Sequence, residues 1–590
     1  MLFYCIIIYE VDSMLKSLIS YISKFLNYTK THMPWYNLYD TGVNPNINYP
    51  NGSMYDSFIE CANKYPNVYA YKYFGRKVKF KKFKKQVNTC ARALKSIGVK
   101  ENDIVTICMP NTPEALIFFY GLNAIGAVAN MIHPLSSEKE IEFYLNKSSS
   151  TYILILDMVY PKLMKIINNT SVKKVIAASV SNSMHPVLKF GYKITTDEVK
   201  LYKKKTISWN KFYNLGKSSN SNFYVSRKRN QEAVILYSGG TTGDPKGVVL
   251  SNLNFNALSM QSFQMTNAKV GDSILGIMPI FHGFGLGVSI HTCFISGMCC
   301  ILVPKFSAKE FSKLIKRYKP DFLAGVPTKY EALINCSENN KKYMKNFKNV
   351  ICGGDVLNET LRNRVDKYLK EYGSDAKIRV GYGLTECTGA SCLTPKHYYK
   401  EGGIGVPFPD MLYKIVKIDS TEEAKTNEIG EICINGPTVM LGYLNDGNAT
   451  KEVLKMHNDG KIWLHTGDVG YMNEEGLVFF ESRLKRMIVS SGYNIYPQYI
   501  EKNLMLHPAV LTCVVIGIYH QYKKQVPKAY IVLRDNFDLT DDLKKDIEKH
   551  CEKLISKYAL PYEYEYVSEL PKTKVGKVAF NELNKRNEVK

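Results

Sequence analysis

Residues 237–247, with the sequence YSGGTTGDPKG, lie between two apolar runs and predict how the chain around them folds. The run AVIL at residues 233–236 precedes this stretch, and the β-branched pair Val248 and Val249 follows it. Short apolar segments on either side of clustered glycines are typical of two strands joined by a loop. The sequence therefore predicts a strand, a flexible glycine-rich loop and a second strand.

The predicted loop has the composition of a phosphate-binding site. Its glycines adopt backbone angles that other residues avoid, so successive N–H groups can point at one anion. The common P-loop requires Gly-Lys-Ser/Thr at the start of a helix, whereas Lys246 precedes Gly247 and a strand. A glycine-rich surface turn is the alternative, but the added hydroxyls and cation favour phosphate. The predicted phosphate ligands are Ser238, Gly239, Gly240, Thr241, Thr242, Gly243 and Lys246.

The same stretch resembles the signature loop of the AMP-forming, acyl-adenylating enzymes. That family includes acyl- and aryl-CoA ligases, adenylation domains of peptide synthetases, and luciferases. The doubled glycine in YSGGTTG and the strings GYGLTEC and MIVSSGYNIYP are most similar to those of bacterial fatty-acyl-CoA ligases. The resemblance extends over roughly residues 34–585, and its motifs are specific for adenylation rather than for acyl-chain length.

Length, charge and cysteine content limit the class of protein. A chain of 590 residues and 67.2 kDa is too long for a single core, so two or more domains are expected. The net charge of +24 comes from scattered lysines without a nucleic-acid-binding motif, so no nucleic-acid partner is predicted. The 14 cysteines show no paired metal-ligand spacing. They are interpreted as reduced thiols of a cytoplasmic protein.

The N-terminal extension, residues 1–33, carries two separate apolar features. Its opening run, MLFYCIIIYEVD, is shorter than the roughly 20 residues that a membrane span requires and lacks the flanks of a secretory signal. Met14 is an alternative start to Met1. Residues 14–26 form an amphipathic helical stripe, which predicts either peripheral membrane contact or a helix packed on the protein's own surface.

Alternating helical and β-branched segments predict parallel sheets. Helices are predicted at residues 89–97 and 113–129, strands at 103–109 and 152–156, and a polar surface connection at 181–229. The resemblance implies an α/β fold: a large N-terminal domain (34–484) with two α/β sheet subdomains and a small β subdomain. It also implies a small mobile α+β C-terminal domain (485–590) that carries the catalytic lysine.

Two strings near the middle of the chain, ICGGDVL and VGYGLTE, end predicted strands with glycines and polar residues, where parallel sheets bind ligands. The resemblance implies that ATP lies there and that Glu386 binds Mg²⁺, a cation that prefers carboxylate oxygen. It also implies a ribose contact for Asp468 in HTGD and a sugar or phosphate contact for Arg483. The remaining nucleotide-binding residues that it implies are Gly354 and Asp355 beside the adenine, Gly381, Tyr382 against the adenine face, and Thr385 at the phosphate.

Other motifs are assigned by the resemblance to the acid, to CoA and to the moving domain. His282 or Phe284 in MPIFHGFGLG is expected beside the acyl group, with Gly383 behind the pocket. Gly492 in SSGYN is expected along the pantetheine path of CoA. Lys485 is the predicted hinge, and Lys577 in ELPKTKVGKV is the predicted catalytic lysine, acting together with Glu386 and Thr241.

The function implied is ATP-dependent activation of a carboxylic acid, medium- or long-chain fatty acid in particular, to acyl-AMP. Transfer to the thiol of CoA then gives acyl-CoA, AMP and pyrophosphate. Two alternatives remain open: loading of the phosphopantetheine of an acyl carrier protein, and a non-catalytic nucleotide- or membrane-binding module.

Overall fold

The computed structural model describes residues 33–195, 201, 205–238, 245–336, 342–490, 493–557, 559–572 and 578–588. These residues form a mixed α/β structure with three sheets. The strands, numbered in chain order, are β1 (Tyr69–Tyr73), β2 (Arg76–Lys79), β3 (Ile104–Cys108), β4 (Val128–Met131), β5 (Tyr152–Leu156), β6 (Lys174–Ala178), β7 (Thr206–Ser208), β8 (Glu232–Ser238), β9 (Lys246–Ser251), β10 (Ser273–Gly276), β11 (Cys299–Leu302), β12 (Phe322–Gly325), β13 (Asn349–Gly353), β14 (Ile378–Tyr382), β15 (Cys392–Leu393), β16 (Gly403–Pro407), β17 (Leu412–Val416), β18 (Gly430–Asn435), β19 (Gly442–Tyr443), β20 (Leu454–Met456), β21 (Ile462–Met472), β22 (Val478–Arg483), β23 (Ile488–Ser490), β24 (Tyr493–Ile495), β25 (Val510–His520), β26 (Lys524–Leu533) and β27 (Glu563–Tyr566).

Helices alternate with these strands over much of the chain, as the sequence predicts. The α-helices, numbered in chain order, are α1 (Met54–Lys64), α2 (Phe80–Ser96), α3 (Pro113–Ala124), α4 (Glu138–Ser148), α5 (Tyr160–Ile166), α6 (Pro186–Thr195), α7 (Trp209–Ser218), α8 (Asn252–Met265), α9 (Thr292–Ser296), α10 (Ala308–Tyr318), α11 (Pro327–Ile334), α12 (Glu359–Glu371), α13 (Gly447–Val453), α14 (Pro497–Leu504), α15 (Asp541–Leu554) and α16 (Phe580–Glu588). A π-helix at Phe284–His291 leads directly into α9.

The first sheet has eight strands in the order β19-β9-β8-β4-β3-β5-β6-β7. The strands from β8 to β7 are parallel, and β9 and β19 join them antiparallel at one edge. The helices between the parallel strands bury apolar side chains against the sheet; every residue of α3, for example, is buried. The β8–β9 hairpin at the edge carries the stretch predicted to bind phosphate.

The second sheet continues without interruption into the small β subdomain. Its parallel part contains β1 and β10–β14, and the antiparallel strand β15 pairs with β14 on one side and β16 on the other. The path then runs through β22, β21 and β18 to β17, giving 14 strands with β20 attached to β21. The predicted small β subdomain is therefore joined to the second sheet through the pairs β15–β16 and β16–β22.

The third sheet belongs to the C-terminal part of the chain. Its order is β24-β23-β26-β25, with β27 parallel to β26. Helices α14 and α15 contribute to the apolar cluster on one face, and α16 contributes to the cluster on the other. The predicted fold class, a large N-terminal α/β part followed by a smaller α+β part, is confirmed.

Three predicted segments differ from the structure. The helix expected at 113–129 ends at Ala124, because Gly126 has φ +76° and the chain turns there into strand β4. The helix expected at 89–97 begins earlier, at Phe80. The stretch 181–229 is more than a surface connection, since it contains α6, α7 and the sheet strand β7.

The N-terminal stripe at residues 14–26 lies outside the described residues. Within the described part of the chain, no helix is both long and apolar enough to cross a bilayer. The 13 cysteines of the described residues are buried and form no disulfide with one another.

Candidate active site

The strand–loop–strand prediction is confirmed on both sides of the glycine-rich loop. Strand β8 ends at Ser238 and β9 begins at Lys246, and these two residues are paired across the hairpin. Residues 239–244 lie outside the described residues, so the phosphate contacts proposed for Gly239, Gly240, Thr241, Thr242 and Gly243 remain predictions. The described ends of the hairpin place Ser238 and Lys246 at the mouth of the loop.

A tyrosine links the lysine of this hairpin to the predicted metal ligand. The Lys246 ammonium lies 4.8 Å from the centre of the Tyr443 ring, a cation–π distance. The hydroxyl of Tyr443 donates a hydrogen bond of 2.9 Å to the Glu386 Oε1. Strand β19 holds Tyr443 there by pairing with β9, opposite Val248. A cation and a carboxylate therefore flank one aromatic ring beside the predicted phosphate loop.

Glu386 itself is positioned by a short turn after β14. Thr385 begins a 3₁₀ turn that ends at Cys387, and the Glu386 carbonyl accepts a hydrogen bond from the Met440 N–H at 2.8 Å. A Cβ atom on Gly383 would come within 2.5 Å of the Ala390 Cα. Position 383 therefore requires glycine, because the chain before Glu386 passes very close to the backbone of Ala390.

The predicted ribose ligands meet at the junction of β14, β21 and β22. Asp468 and Arg483 face each other across β21 and β22, with Asp468 Oδ1 3.1 Å from Arg483 Nε. Asp468 Oδ2 accepts a hydrogen bond of 2.7 Å from the Tyr382 hydroxyl. Asp468 Oδ1 lies buried and accepts no hydrogen bond from the described residues. The carboxylate is thus held at Oδ2 by the Tyr382 hydroxyl and at Oδ1 by the charge of Arg483.

The charges at this junction act on one another. Burial raises the pKa of Asp468, and the charge of Arg483 and the Tyr382 hydrogen bond oppose that rise. Burial, reinforced by the Asp468 charge, raises the pKa of Tyr382 well above its usual value, so its hydroxyl remains a donor. The Asp468 charge is also the main reason for the raised pKa of Arg483, to which Glu386 and Asp355 contribute. The four charged side chains therefore share one electrostatic environment.

The residues predicted to border the adenine lie at the ends of neighbouring strands. Gly353 at the end of β13 pairs with Gly381 in β14, which brings Gly354 and Asp355 next to the Tyr382 segment. Gly354 has φ +80°, a conformation that favours glycine. The Asp355 Oδ1 accepts a hydrogen bond from the Val356 N–H. The structure thus brings these sequence-predicted residues together at the carboxyl edge of the second sheet.

His282 and Phe284 lie at the start of the π-helix, on the same side of the second sheet. The Phe284 ring lies near Gly353, and the Phe284 N–H donates a 3.2 Å hydrogen bond to His282 Nδ1. A Cβ on Gly283 would come within 2.4 Å of the Thr388 carbonyl oxygen. Gly283 therefore allows the start of the π-helix to pack against the turn that carries Glu386. The acyl contact expected of His282 and Phe284 remains a prediction.

The predicted hinge lies between residues tied to different parts of the fold. Arg483, before it, contacts Asp468 in the second sheet. Arg486, after it, donates hydrogen bonds to Glu501 and to the Val515 carbonyl, and its guanidinium lies 4.0 Å from the centre of the Phe580 ring in the C-terminal part. Leu484 and Lys485 are the two residues between these anchors.

Lys577 lies outside the described residues, as does Gly492. The base of the Lys577 loop is described, however: Lys572 pairs with Val578, and the Ala579 N–H donates to the Pro571 carbonyl at 2.8 Å. Leu570, Val578 and Phe580 pack into an apolar cluster on the third sheet. The residues on both sides of the segment that contains Lys577 are therefore packed on the third sheet.

Sequence reasoning missed three residues that organise the site. Tyr443 lies 57 positions from Glu386, and the GY of MLGY carried no local signal of that contact. Asn111 joins the two large sheets by bonding the Gly276 and Met278 carbonyls and the Ile280 N–H. Arg486 lies among other basic residues in the string SRLKR, so nothing in the local sequence distinguished it from them. All three depend on long-range contacts.

The geometry of the site and the sequence comparisons define the class of the protein together. Residues 58–444 match the model of the AMP-binding enzyme family, and residues 499–577 match that of the AMP-binding enzyme C-terminal domain. The chain therefore belongs to the AMP-binding enzyme family, and within it to the acyl-CoA ligases.

Individual relatives refine this placement. A long-chain-fatty-acid–CoA ligase of Bacillus subtilis (strain 168) is 31% identical over 559 residues, covering 93% of this chain and 97% of that protein. A probable 4-coumarate–CoA ligase 3 of Dictyostelium discoideum is 29% identical over 510 residues, covering 85% and 89%. ATP-bound MatB from Rhodopseudomonas palustris shares the fold, with a TM-score of 0.79, 20% identity, and coverage of 91% and 99%.

Proposed function

We propose that this protein uses ATP to activate a medium- or long-chain fatty acid as an acyl-adenylate and then transfers the acyl group to CoA. The observation that carries the proposal is the presence of two pairs of charged side chains beside the glycine-rich loop. Lys246 and Glu386 flank Tyr443, while Asp468 and Arg483 lie at the adjoining sheet edge. The Lys246–Glu386 pair can bind a triphosphate and its metal ion, and the Asp468–Arg483 pair can bind a ribose. ATP contains both groups.

The donors at Glu386 fit the magnesium ion that this chemistry requires. Mg²⁺ prefers carboxylate oxygen and retains oxygens of substrate phosphate among its ligands, and Glu386 offers a carboxylate fixed by the Tyr443 hydroxyl. When bound, Mg²⁺ supplies positive charge that offsets the charge of the pyrophosphate leaving group. Lys246 would add a second positive charge at the mouth of the loop.

Asp468 is suited to hold the ribose by hydrogen bonds. Its Oδ2 accepts from Tyr382. Its Oδ1 is paired by charge with Arg483 but accepts no hydrogen bond from the described residues, and it would accept one from a hydroxyl of the sugar. Arg483, whose side chain is 50% exposed, can donate to sugar or phosphate oxygens from the open side. The nucleotide would then lie with its adenine beside Gly354, Asp355 and Tyr382.

The first step is an in-line displacement at phosphorus. A carboxylate oxygen of the acid bonds to the α-phosphorus of ATP as the bond to pyrophosphate breaks, giving acyl-AMP. Both reactants are anions, so we assign Lys577 to the position between them, where its ammonium stabilises the transition-state charge. Positioning and charge compensation are then the protein's contribution to the rate.

The second step needs the thiol of CoA in place of Lys577. The thiol loses its proton, its sulfur bonds to the acyl carbon, and the bond to AMP breaks. We propose that residues 34–484 and 485–590 form the two domains and that the smaller rotates about Lys485 between the steps. The anchors Arg483 and Arg486, on either side of Leu484 and Lys485, support that boundary. Gly492 would then border the pantetheine arm.

The class of acid is supported by the fatty-acid ligase of Bacillus subtilis, and the Dictyostelium relative makes an aryl acid the competing candidate. Pyrophosphate exchange into ATP, measured with acids from acetate to oleate and with aryl acids, distinguishes them. We expect the highest exchange rate with medium- or long-chain acids. Preference for aryl acids would reject the proposed acid class, and no acid-dependent exchange would reject activation altogether.

Two lysine variants test the catalytic assignment in the same assay. Lys577→Ala should lower the exchange rate about 10²- to 10³-fold while thioester formation from supplied acyl-adenylate stays near the wild-type rate. The matched control is Lys572→Ala, an exposed lysine at the base of the same loop, which should retain exchange. An equal loss in both half-reactions of Lys577→Ala would contradict its role.

The thiol acceptor is tested separately from the acid. We expect CoA to support product formation, and a phosphopantetheinylated acyl carrier protein to be a poorer acceptor at equal concentration. The reverse order would make carrier-protein loading the function. Peripheral membrane contact through residues 14–26 remains a prediction that vesicle sedimentation can test.

A further inference from the structure

A group of metal-ligating side chains that the proposed function does not use lies in the small β subdomain, partly on the strand that also carries Asp468. Cys433 in β18, His465 in β21 and His457 at the end of β20 each bring one ligand atom to the group, and these atoms lie within 4.8 Å of one another. All three residues are buried. We propose that they form a site for a divalent transition-metal ion of the zinc class.

Strand pairing explains why these residues meet although they are distant or irregularly spaced in sequence. Cys433 and His465 are directly opposite each other in the antiparallel pair β18–β21, so their side chains lie on the same face of the sheet. His457 begins the turn between β20 and β21, where its N–H donates to the Lys461 carbonyl at 3.0 Å. The hairpin therefore folds His457 back over the Cys433–His465 pair.

A buried carboxylate prepares His465 as a ligand. Glu431, two residues before Cys433 on the same face, lies with its Oε2 2.7 Å from His465 Nδ1. A carboxylate accepts the Nδ1 proton, which leaves a lone pair on Nε2 directed at the group. Such carboxylate–histidine pairs are typical outer-shell partners of protein-bound metals. Glu431 Oε1 also accepts from the Gly467 N–H at 2.9 Å, so the carboxylate is itself held.

The two histidines share a hydrogen bond that a metal ion could replace. Their Nε2 atoms are 2.9 Å apart, the distance of a single N–H···N hydrogen bond. In that arrangement His457 Nδ1 is buried and has no hydrogen-bond partner among the described residues. Zinc–nitrogen bonds of about 2.0–2.1 Å in a tetrahedral site place ligand nitrogens roughly 3.4 Å apart. A movement of about 0.5 Å would therefore convert the contact into a metal site.

The donor set identifies the class of ion. Thiolate and imidazole ligands favour Zn²⁺ and other borderline or soft ions, whereas Mg²⁺ takes oxygen ligands. Binding replaces the Cys433 S–H bond by a metal–sulfur bond, and the proton leaves to solvent. Three protein ligands leave one tetrahedral position for water. The nearby cation Lys414 is offset by Asp459, 3.2 Å away.

Metal content and cobalt spectroscopy of the full-length protein test this site. After chelator treatment, equilibrium dialysis against Zn²⁺ should give about one bound equivalent, and Co²⁺ should give tetrahedral d–d bands with a thiolate charge-transfer band. Cys433→Ala and His457→Gln should each weaken Zn²⁺ binding at least about 100-fold, because even loss of an outer-shell partner costs about 10–100-fold. Cys90→Ala, a buried thiol in α2, is the matched control and should bind as wild type.

A melting-temperature measurement on the wild-type protein tests the site even if the variants fail to fold. Added Zn²⁺ should raise the melting temperature of the chelator-treated protein by at least about 2 °C, because a ligand that binds only the folded state stabilises it. Binding of less than about 0.1 equivalent by wild type would overturn the proposal. Unchanged zinc binding in both Cys433→Ala and His457→Gln would equally overturn it, since the metal would then lie elsewhere.

Discussion

At the scale of single residues, Tyr443 makes the most consequential contact that the sequence did not suggest. Its ring contacts the Lys246 ammonium and its hydroxyl bonds Glu386, so one side chain sets the spacing of a cation and a carboxylate. A hydrogen bond to a charged group contributes about 1.5–3 kcal/mol. This contact is therefore strong enough to affect how firmly the proposed magnesium ion and triphosphate are held.

Tyr443→Phe separates the two contacts because it keeps the ring and removes the hydroxyl. We expect kcat/KM for ATP to fall about tenfold, with a rise in the Mg²⁺ concentration that gives half the maximal rate. The control is Tyr471→Phe, which keeps a ring stacked on Phe479 at 4.6 Å. Steady-state kinetics at varied Mg²⁺ checks both, and an unchanged Mg²⁺ requirement in Tyr443→Phe would contradict the assigned role.

Glu114 gives a residue-level prediction about stability rather than activity. It lies buried near the start of α3, where its Oε1 accepts a hydrogen bond from the Ser183 hydroxyl and its Oε2 has no partner among the described residues. Burial raises the pKa of Glu114 from 4.5 to about 7. Between these values the folded protein keeps a proton that the unfolded chain has released, so the free energy of unfolding falls as pH rises.

Glu114→Gln should remove that pH dependence because glutamine does not titrate. One pKa unit corresponds to about 1.4 kcal/mol, so the variant should be near wild-type stability at about pH 4.5 and more stable by up to about 3 kcal/mol above pH 7. Melting temperatures of both proteins across this range are the measurement. Parallel pH profiles would show that Glu114 does not titrate as argued.

At the scale of elements, the contact between the π-helix and the Glu386 turn determines the shape of the site. Gly283→Ala would place a Cβ 2.4 Å from the Thr388 carbonyl oxygen, where the neighbour is backbone and cannot rotate away. We expect the free energy of unfolding to fall by about 1–3 kcal/mol. The exchange rate should also fall under conditions in which the variant is still folded.

A second glycine provides the control for that substitution. Gly447→Ala, at the first residue of α13, meets no atom within 4 Å and should be neutral or stabilising by up to about 1 kcal/mol. Chemical denaturation and exchange rates compare the two variants. If Gly283→Ala retained wild-type activity, the packing of these elements would not be critical for the site.

Elements with strong local patterns could be predicted from the sequence. The strands at Ile104–Cys108 and Tyr152–Leu156 lie where their apolar and β-branched residues indicated. The start of β4 was merged with α3, because the buried apolar run LNAIGAVANM has no periodicity that separates a buried helix from a buried strand. Sheet order could not be predicted, since it depends on long-range pairing such as that of β1 with β11.

The same distinction applies to the site. Residues within one motif, such as Tyr382, Thr385 and Glu386, could be predicted because a strand end and the turn after it keep them together. The contacts of Tyr443, and the meeting of Cys433 with His457 and His465, arise only when separate strands pair. Motif reasoning therefore predicts nucleotide ligands but not the residues that connect them.

At the scale of the whole molecule, the two proposed half-reactions would require two arrangements of the C-terminal part. Lys485 occupies a 3₁₀ turn between the Arg483 and Arg486 anchors, and the surface pair Lys502–Glu401, at 3.0 Å, connects the two parts. Such an exposed pair contributes little to stability. It can therefore break during rotation without a large energetic cost.

Lys485→Pro tests the hinge. Proline fixes φ near −65°, which fits a 3₁₀ turn but prevents a large change of that torsion. We expect one half-reaction to remain near the wild-type rate and the other to fall at least about tenfold, whereas Lys485→Ala should retain both. Single-turnover rates for each step provide the comparison, and normal rates for both steps in Lys485→Pro would place the hinge elsewhere.

The most direct test of acid activation follows the oxygen atoms of the substrate. With fatty acid labelled by ¹⁸O in both carboxylate oxygens, attack on the α-phosphorus leaves one labelled oxygen on AMP after CoA displaces it. Mass spectrometry of the nucleotide product is the measurement. One ¹⁸O per AMP is the predicted result, and unlabelled AMP formed together with acyl-CoA would contradict an acyl-adenylate at this site.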